Sequence, residues 1–255
     1  RVALPVTRGG TMTSGTTVPV SVVMPAYNEA DGIRVAVEAA QKHVLDRLPG
    51  AELVVVNDGS RDHTGSILDQ IAAADPRVRV LHTLNGGHGT ALMRGLAQAH
   101  GDYVFLVDSD DQIPLDAFWT LWTRAHAGSG PPLDGVFGIR RVRHDAQFRK
   151  VLTRIIGVCL TLLFGTSIRD ANVPFKLVRR RIWEDARRYI PDGTLAPSLF
   201  LAVYMKRVNC SIAFLDVAHR DRATGTVSIR RWKLLKFCAT AFQQLLDFRR
   251  ALPPR

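Results

Sequence analysis

From Val18 the chain alternates short β-branched runs with stretches of helical period. VPVSVVMPAY, ELVVVNDGS, VRVLHTL and DYVFLVDSDD read as strands, and between them helices are expected from about Ile33 to Leu48, Thr64 to Ala74 and about Thr90 to His100. Strands alternating with ten-to-fifteen-residue helices predict an α/β fold whose mostly parallel central sheet is joined by right-handed crossovers and flanked by helices. In such a sheet ligands sit outside the carboxyl ends of the strands. The polar clusters PAYNE, NDGS and DSDDQ all fall at those ends, so three separate segments converge on one edge.

The second half is less regular. A strand at DGVFGIR is followed by a basic amphipathic helix from about Phe148 to Phe164, the segment RDANVPFKLVRRRIW, a strand near CSIAFLDVAHR and a final helix. GSGPPLDG, residues 128 to 135, reads as a surface turn within the domain. The opening RVALPVTRGGTMTSGTT has no hydrophobic signal region and is expected to be disordered, with Met12 as an alternative start. The expected organisation is a disordered segment 1–17, one domain 18–228, and an amphipathic helix with its tail 229–255.

Composition narrows the classes. At 255 residues, with 46% hydrophobic and 22% charged, the chain suits one large globular domain or two small ones. Lys and Arg outnumber Asp and Glu by 34 to 23, giving +11, so partners are expected to be anionic: nucleotides, phosphorylated substrates, nucleic acid or an acidic membrane surface. The cysteines, Cys159, Cys210 and Cys238, are odd in number and far apart, so they read as buried thiols in a reducing compartment, with neither a disulfide framework nor a zinc site. The longest apolar stretch, Ile155 to Gly165 behind Arg154, is too short to cross a bilayer.

The stretch DYVFLVDSDDQIP, residues 102 to 114, carries the chemistry. Clustered carboxylates at the end of a buried strand repel one another and lose hydration unless a cation or partner satisfies them. Asp108 and Asp110 are two apart and can point at one hard cation, and Mg²⁺ takes a few carboxylates and completes its shell with water and phosphate oxygens. Alone, such a pair is most often a solvated turn. The order of the other signals changes that. Pro25, Tyr27, Asn28 and Glu29 close the first strand; Asn57, Asp58, Gly59 and Ser60, with Asp62 and Thr64, close the second; NGGHGTALMRG follows the third.

This series resembles glycosyltransferase family 2, of GT-A fold, whose pattern is P-x-Y-N-E, D-D-G-S-x-D-x-T, N-x-G-x-G-x-A and D-x-D, and the resemblance runs from about Val20 to Ser228. The later segments look most like the dolichyl-phosphate mannose synthase and polyprenyl-phosphate glycosyltransferase branch: Asp108-x-Asp110-x-Gln112, Arg140 closing GIR, RDANVPFK for R-D-x-x-x-G-F-K, and His219-x-x-Arg222-x-x-Gly225. The resemblance implies Mg²⁺ or Mn²⁺ on Asp108, Asp110 and Gln112. It implies a nucleotide-sugar set of Pro25, Tyr27, Glu29, Val56, Asp58, His88, Asp108, Ser109, Asp110 and Arg222, and a catalytic set of Asp110, Arg140 and Arg222 acting with inversion. Independently, a carboxylate such as Asp58 can accept the imino proton of uracil or guanine, and Tyr27 can cover a base face. Four positions depart from the pattern: Asn57 for the first Asp of D-D-G-S, His88 for a common lysine, Pro174 for a glycine, and Ile229 and Arg230 where lysine is common. Asn85 to Gly89 is either a phosphate-contacting loop or a turn and cap, and it is not a dinucleotide fingerprint.

A phosphomonoester is already an anionic nucleophile near neutral pH, whereas a hydroxyl needs a base. No clear base motif is present, which favours a polyprenyl phosphate acceptor received by Arg140, Arg154 and Arg230; Asp170, His219 and Asp221 could serve a hydroxyl acceptor. On a wheel of about 3.6 residues per turn, Lys233, Lys236, Thr240, Gln243, Gln244 and Asp247 form one polar strip amid Trp232, Phe237, Phe242, Leu245 and Phe248. Such a helix, like that of VLTRIIGVCLTLLFG, suits a bilayer interface at the cytoplasmic face, or packing on the domain or on a second subunit of a homodimer. No role for nucleic acid remains. The alternatives are a GT-A enzyme acting on a soluble hydroxyl and a non-catalytic nucleotide-sugar-binding protein.

Overall fold

The computed structural model describes residues 18–140, 157–165, 168, 172–219 and 231–252, with side chains in the last helix from residue 239 onward. The expected segment 1–17, the start of the basic helix, and Arg154, Asp170, Asp221, Arg222, Gly225, Ser228 and Arg230 lie outside the described residues.

The strands are β1 Val20–Ala26, β2 Glu52–Asp58, β3 Val78–Thr83, β4 Tyr103–Leu106, β5 Gly135–Arg140, β6 Lys176–Arg179 and β7 Ile212–Val217. The helices are α1 Ile33–Ala40, α2 Thr64–Ala74, α3 His88–Ala97, α4 Phe118–Ala125, α5 at 157–164, α6 Arg180–Ala186, α7 Pro197–Arg207 and α8 Arg231–Ala251; α1 runs on through a π turn at Gln41–Leu45. They build one sheet in the order β3-β2-β1-β4-β6-β5-β7. Among the described residues only β6 is antiparallel to its neighbours. β1 sits at the centre of the parallel half, pairing Val23 with Val54 on one side and with Leu106 on the other.

Alternation along the strands divides the core between the two faces. Val22 and Met24 pack with α1, α2 and α4, while Val23, Val104 and Leu106 pack with α3 and α7. On the first face Phe105 meets Phe118 and Phe175 edge-to-face at 5.1 and 4.9 Å, which ties β4 to α4 and to the chain entering β6. On the second, α7 is buried continuously from Pro197 to Met205. α8 joins this face through Leu245 and Phe248, followed by Leu252 just past its end, with the Phe248 ring 5.0 Å from Phe200 and 5.9 Å from Phe164. The second half of α8 therefore packs on the domain, while Phe242 remains 42% exposed.

Cys159 and Cys210 are free thiols and half-buried rather than buried. Burial, with Asp134 nearby, pushes the Cys210 thiol up to about 11, so it stays protonated. Among the described residues no helix is long and apolar enough to cross a membrane.

The amino end of the sheet is closed by a polar latch. Ser21 Oγ accepts the amides of His100 and Gly101 at 3.0 and 2.7 Å and donates to Glu52 Oε1 at 2.6 Å, while Glu52 takes a salt bridge from Arg79 at 3.0 Å. Burial alone would raise the Glu52 carboxyl, but the Ser21 hydroxyl, the His100 amide and Arg79 together hold it below its ordinary 4.5. A carboxyl lowered in the folded state adds stability above its unfolded pKa and loses it as pH falls through the folded one. Ser21→Ala is expected to cost about 1–3 kcal/mol at neutral pH, and the gap to the parent should narrow below pH 4.5, as read by thermal unfolding across pH.

Candidate active site

The carboxyl ends of β1, β2 and β4 open onto a cavity of about 410 Å³. MPAYNE forms one wall, and the loop after β2 supports it from behind. Asn28 turns at φ +53, its amide donating to Ser60 Oγ at 3.0 Å and its Oδ1 accepting the Arg61 amide at 2.8 Å. The Glu29 amide donates to Thr64 Oγ1 at 2.8 Å and the Ala30 amide to Asp62 Oδ2 at 3.1 Å. Burial raises the Asp62 carboxyl, but the Thr64 hydroxyl and the Thr64 and Ala30 amides outweigh it and keep it below the usual range. Ser60, Asp62 and Thr64 therefore hold a backbone, and that backbone presents Pro25, Tyr27 and Glu29 to the cavity.

Asp58 performs two tasks. It is 2% exposed, and its carboxylate accepts the amides of Gly86 and Gly87, both at 2.8 Å. Arg94 stands 3.6 Å from the same carboxylate and donates to the Leu84 carbonyl, closing the loop from below. Asp58 Oδ1 is also approached by the Thr83 hydroxyl at 3.5 Å and by Arg94, while Oδ2, which accepts the Gly87 amide, has a second lone pair with which the group that shapes the loop can accept a donor from a ligand. The turn requires glycine: Gly87 has φ +84, and at Gly59, φ +69, a Cβ would lie 2.7 Å from the Asn85 amide nitrogen. Asn57 faces away from the cavity. Its carboxamide nitrogen meets His82 Nδ1 at 3.1 Å while its oxygen accepts the Ser60 amide, and His82 Nε2 reaches Asp69 at 2.8 Å. A carboxamide can donate to one neighbour and accept from the other, which an ionised aspartate cannot.

The loop delivers the chain to α3, whose first residue, His88, lines the cavity. At Gly89 a Cβ would lie 1.9 Å from the Thr194 carbonyl oxygen, so the first turn of α3 lies directly against the loop before α7. Gln244 of α8 fixes that loop, accepting the Leu195 amide at 3.1 Å and donating to the Gly193 carbonyl at 3.2 Å. Neither Thr194 nor Gln244 stands out as a site residue in the sequence; Gln244 reads there only as part of a polar strip.

Beyond β4, Asp108, Ser109 and Asp110 form the third wall. Asp111 turns at φ +51, and the Gln112 amide donates to Asp110 Oδ1 at 3.3 Å. Asp108 and Asp110 also line a second, smaller cavity of about 40 Å³ with Gln112, Arg140, Pro174, Phe175 and His219. His88 Nε2 lies 3.6 Å from Asp108 Oδ1 across the larger cavity. Behind the smaller one, buried Lys176 donates to the Val173 carbonyl and to Ser198 Oγ, and packs over the Phe137 ring at 5.2 Å, fixing the VPFK segment. Two carboxylates and a carboxamide offer hard oxygen donors suited to Mg²⁺ or Mn²⁺, and among the described residues no group of three or more His, Cys, Asp or Glu side chains forms a closed metal cage.

The structure thus brings Pro25, Tyr27, Glu29, Asp58, His88, Asp108, Ser109 and Asp110 together in one cavity, and Asp108, Asp110, Gln112 and Arg140 in the adjoining one. Val56 stays outside both: its side chain is fully buried, against Gly95 of α3.

A parallel sheet with one reversed strand and an acidic carboxyl edge defines a nucleotide-sugar transferase fold of GT-A type. The family model described as "Glycosyl transferase family 2" matches residues 21–195, and the chain belongs to that family. Among curated proteins, undecaprenyl-phosphate 4-deoxy-4-formamido-L-arabinose transferases are similar. The one from Photorhabdus laumondii is 31% identical over 85% of this chain and 64% of its own length. The one from Pseudomonas savastanoi pv. phaseolicola is 35% identical over 86% and 63%. The chain therefore spans less than two thirds of these relatives. Among solved structures, glucosyl-3-phosphoglycerate synthase from Mycobacterium tuberculosis with UDP superposes with a TM-score of 0.65 at 21% identity, covering 92% of this chain and 81% of that one. The same enzyme with Mn²⁺, UDP-glucose and phosphoglyceric acid gives 0.64 at 20% identity, with the same coverage.

Gln244→Ala is expected to loosen the first turn of α3 with little change in thermal midpoint. Calorimetry should show several-fold weaker binding of whichever of UDP and GDP the parent binds, since a hydrogen bond is worth about 1 kcal/mol.

Proposed function

We propose that this chain transfers a sugar, with inversion, from a nucleoside diphosphate donor to the phosphate of a polyprenyl lipid at the cytoplasmic face of a membrane. The observation that carries the reading is the position of Asp108 and Asp110, which stand between a cavity sized for a nucleotide sugar and a smaller one that contains Arg140. The names of the curated relatives supply the acceptor class.

In this reading Tyr27 covers the base, Glu29 and Asp58 accept its polar edge, and His88 with the amino end of α3 meets the diphosphate. Arg140 receives the acceptor phosphate, with Arg154, Arg222 and Arg230 as further contacts. A phosphate oxygen attacks the anomeric carbon, the bond from that carbon to the β-phosphate oxygen breaks, and the nucleoside diphosphate departs with the electron pair. The second pKa of a phosphomonoester is about 6, so the nucleophile is ionised near neutral pH and no side chain has to take a proton. Asp108, Asp110 and Gln112 would hold Mg²⁺ or Mn²⁺, which supplies positive charge opposite the charge developing on the leaving diphosphate. The exposed apolar residues of α5, Val158 and Leu162, together with α8, are the parts suited to a bilayer surface.

One observation favours a second reading. His219 lines the smaller cavity with its Nδ1 buried and without a hydrogen-bond partner among the described residues, as a base for a hydroxyl acceptor would be placed.

The two are separated by incubating the protein with Mn²⁺, labelled UDP- and GDP-sugars and a short polyprenyl phosphate. Label is expected in the organic phase with one donor. Asp110→Ala should lose at least about a hundredfold in transfer while melting like the parent, and full activity in that variant would refute the metal assignment. Donor turnover only with soluble alcohols would transfer the reading to His219.

A further inference from the structure

Asn57 and His82 lie opposite each other on β2 and β3, outside both cavities of the active site. Their hydrogen bonds fix where the imidazole proton sits. Asp69 accepts from His82 Nε2 at 2.8 Å, so Nε2 carries a hydrogen. His82 Nδ1 faces the Asn57 carboxamide nitrogen at 3.1 Å, and an amide nitrogen only donates, so Nδ1 offers a bare lone pair. Asn57 Oδ1 accepts the Ser60 amide at 3.1 Å, which sets the orientation of the carboxamide. In this arrangement the ring is neutral.

The carboxamide has little room to turn aside. Asn57 is 6% exposed, and a Cβ at Gly65, in the first turn of α2, would lie 2.9 Å from its nitrogen and 3.6 Å from His82 Cε1. Protonating His82 puts a hydrogen on Nδ1, against the N–H of the amide. If the amide flips to accept it, its NH₂ group meets the Ser60 N–H instead. One of the two hydrogen bonds is lost either way. The charged groups on the elements around β3 do not offset this. In β2 the titratable side chains are Glu52, bonded to Ser21 and Arg79, and Asp58, bonded to the Gly86 and Gly87 amides. In α2, packed over β3, Asp69 alone is titratable, and it already holds the Nε2 hydrogen.

The Ser60 end of this link reaches the larger cavity. Ser60 Oγ accepts the Asn28 amide at 3.0 Å and Asn28 Oδ1 accepts the Arg61 amide at 2.8 Å, so the turn after β2 and the left-handed turn at Asn28 hold each other. Tyr27 and Glu29, on either side of Asn28, line the cavity. We propose that Asn57 and His82 are positioning residues for this wall: they hold Tyr27 and Glu29 in place through Ser60, and do so only while His82 is neutral. The proposal rests on the donor-site reading for the ligand that feels the change.

The link is read first without ligand. In amide NMR spectra of the full chain, free of metal and nucleotide, the Ser60 and Asn28 signals should move with the His82 ring as pH falls from about 8 to about 5, where histidine ordinarily changes charge. In His82→Asn, which keeps an acceptor near the Nδ1 position and does not titrate, they should stay in place. Calorimetry with Mn²⁺ and whichever of UDP and GDP the parent binds reads the consequence. The His82→Asn variant sees the same ionisation of nucleotide and metal site. Relative to it, the parent should lose on the order of fivefold in affinity across that range, the worth of one hydrogen bond. Asn57→Asp should reverse the sign. Its carboxylate accepts from a protonated His82 and from Ser60 but meets a bare lone pair when the ring is neutral, so affinity falls as pH rises. Ser60 and Asn28 signals that ignore the His82 titration, or one pH profile shared by the parent and His82→Asn, would overturn the proposal. Amides that follow His82 while neither UDP nor GDP binds at any pH would uphold the hold on the wall and overturn the donor reading alone.

Discussion

The structure depends on how four carboxylates, Glu29, Asp58, Asp108 and Asp110, are kept together at one edge of a buried sheet. Like charges at such spacing destabilise a fold unless they find compensation, and Asp58, Asp108 and Asp110 each find it differently. The amides of Gly86 and Gly87 satisfy Asp58, which lets it stay almost wholly buried. Asp110 is approached by the Gln112 amide and Asp108 by His88. The glycine turns, the left-handed Asn28 and Asp111, and the close contact of Gly89 with Thr194 follow from bringing those compensating groups within reach. Two oxygen-rich carboxylates, Asp108 and Asp110, are left at the boundary of two cavities, where the proposed function puts a cation and a diphosphate.

The parallel half of the fold was legible in the sequence because each of its elements is locally self-consistent. β1, β2 and β4 are runs of apolar residues ending in polar clusters, β3 interleaves apolar with polar residues, and the helix from Thr64 to Ala74 falls where its period puts it. The helix expected from Thr90 begins earlier, at His88, because the glycine turn already releases the backbone into helix there. α7 was not legible as a helix: it is buried on nearly every side, so its sequence, PSLFLAVYMKR, carries no amphipathic period. Nor was the reversal of β6, since direction is set by where a strand docks, and KLVR reads the same either way.

The site was legible wherever a residue type is demanded by chemistry and hidden wherever a residue acts through another. Tyr27, Glu29, Asp58, Asp108 and Asp110 declared themselves by type and order, and they share one cavity. Asn57 departs from the family pattern, and its carboxamide links His82 to the Ser60 amide, a role that no local pattern shows. Gln244 lies 49 residues along the chain from the Leu195 amide it accepts, a separation no local pattern reports. Val56, which the resemblance placed with the nucleotide, is a core residue whose side chain packs against a glycine of α3. α8 has two roles along its length: its last turns belong to the domain core, and Gln244 connects it to the loop against the first turn of α3, at the wall of the larger cavity.

The central claim is that the Asp108–Asp110 pair joins a divalent cation to a nucleoside diphosphate. The most direct measurement is calorimetric titration of UDP and GDP into the protein with Mn²⁺ and with chelator. Tight binding of one nucleotide that needs Mn²⁺, and is lost when Asp108 and Asp110 are both changed to Asn, is the result expected. Nucleotide binding that is equally strong with chelator, or unaffected by those two substitutions, would contradict it.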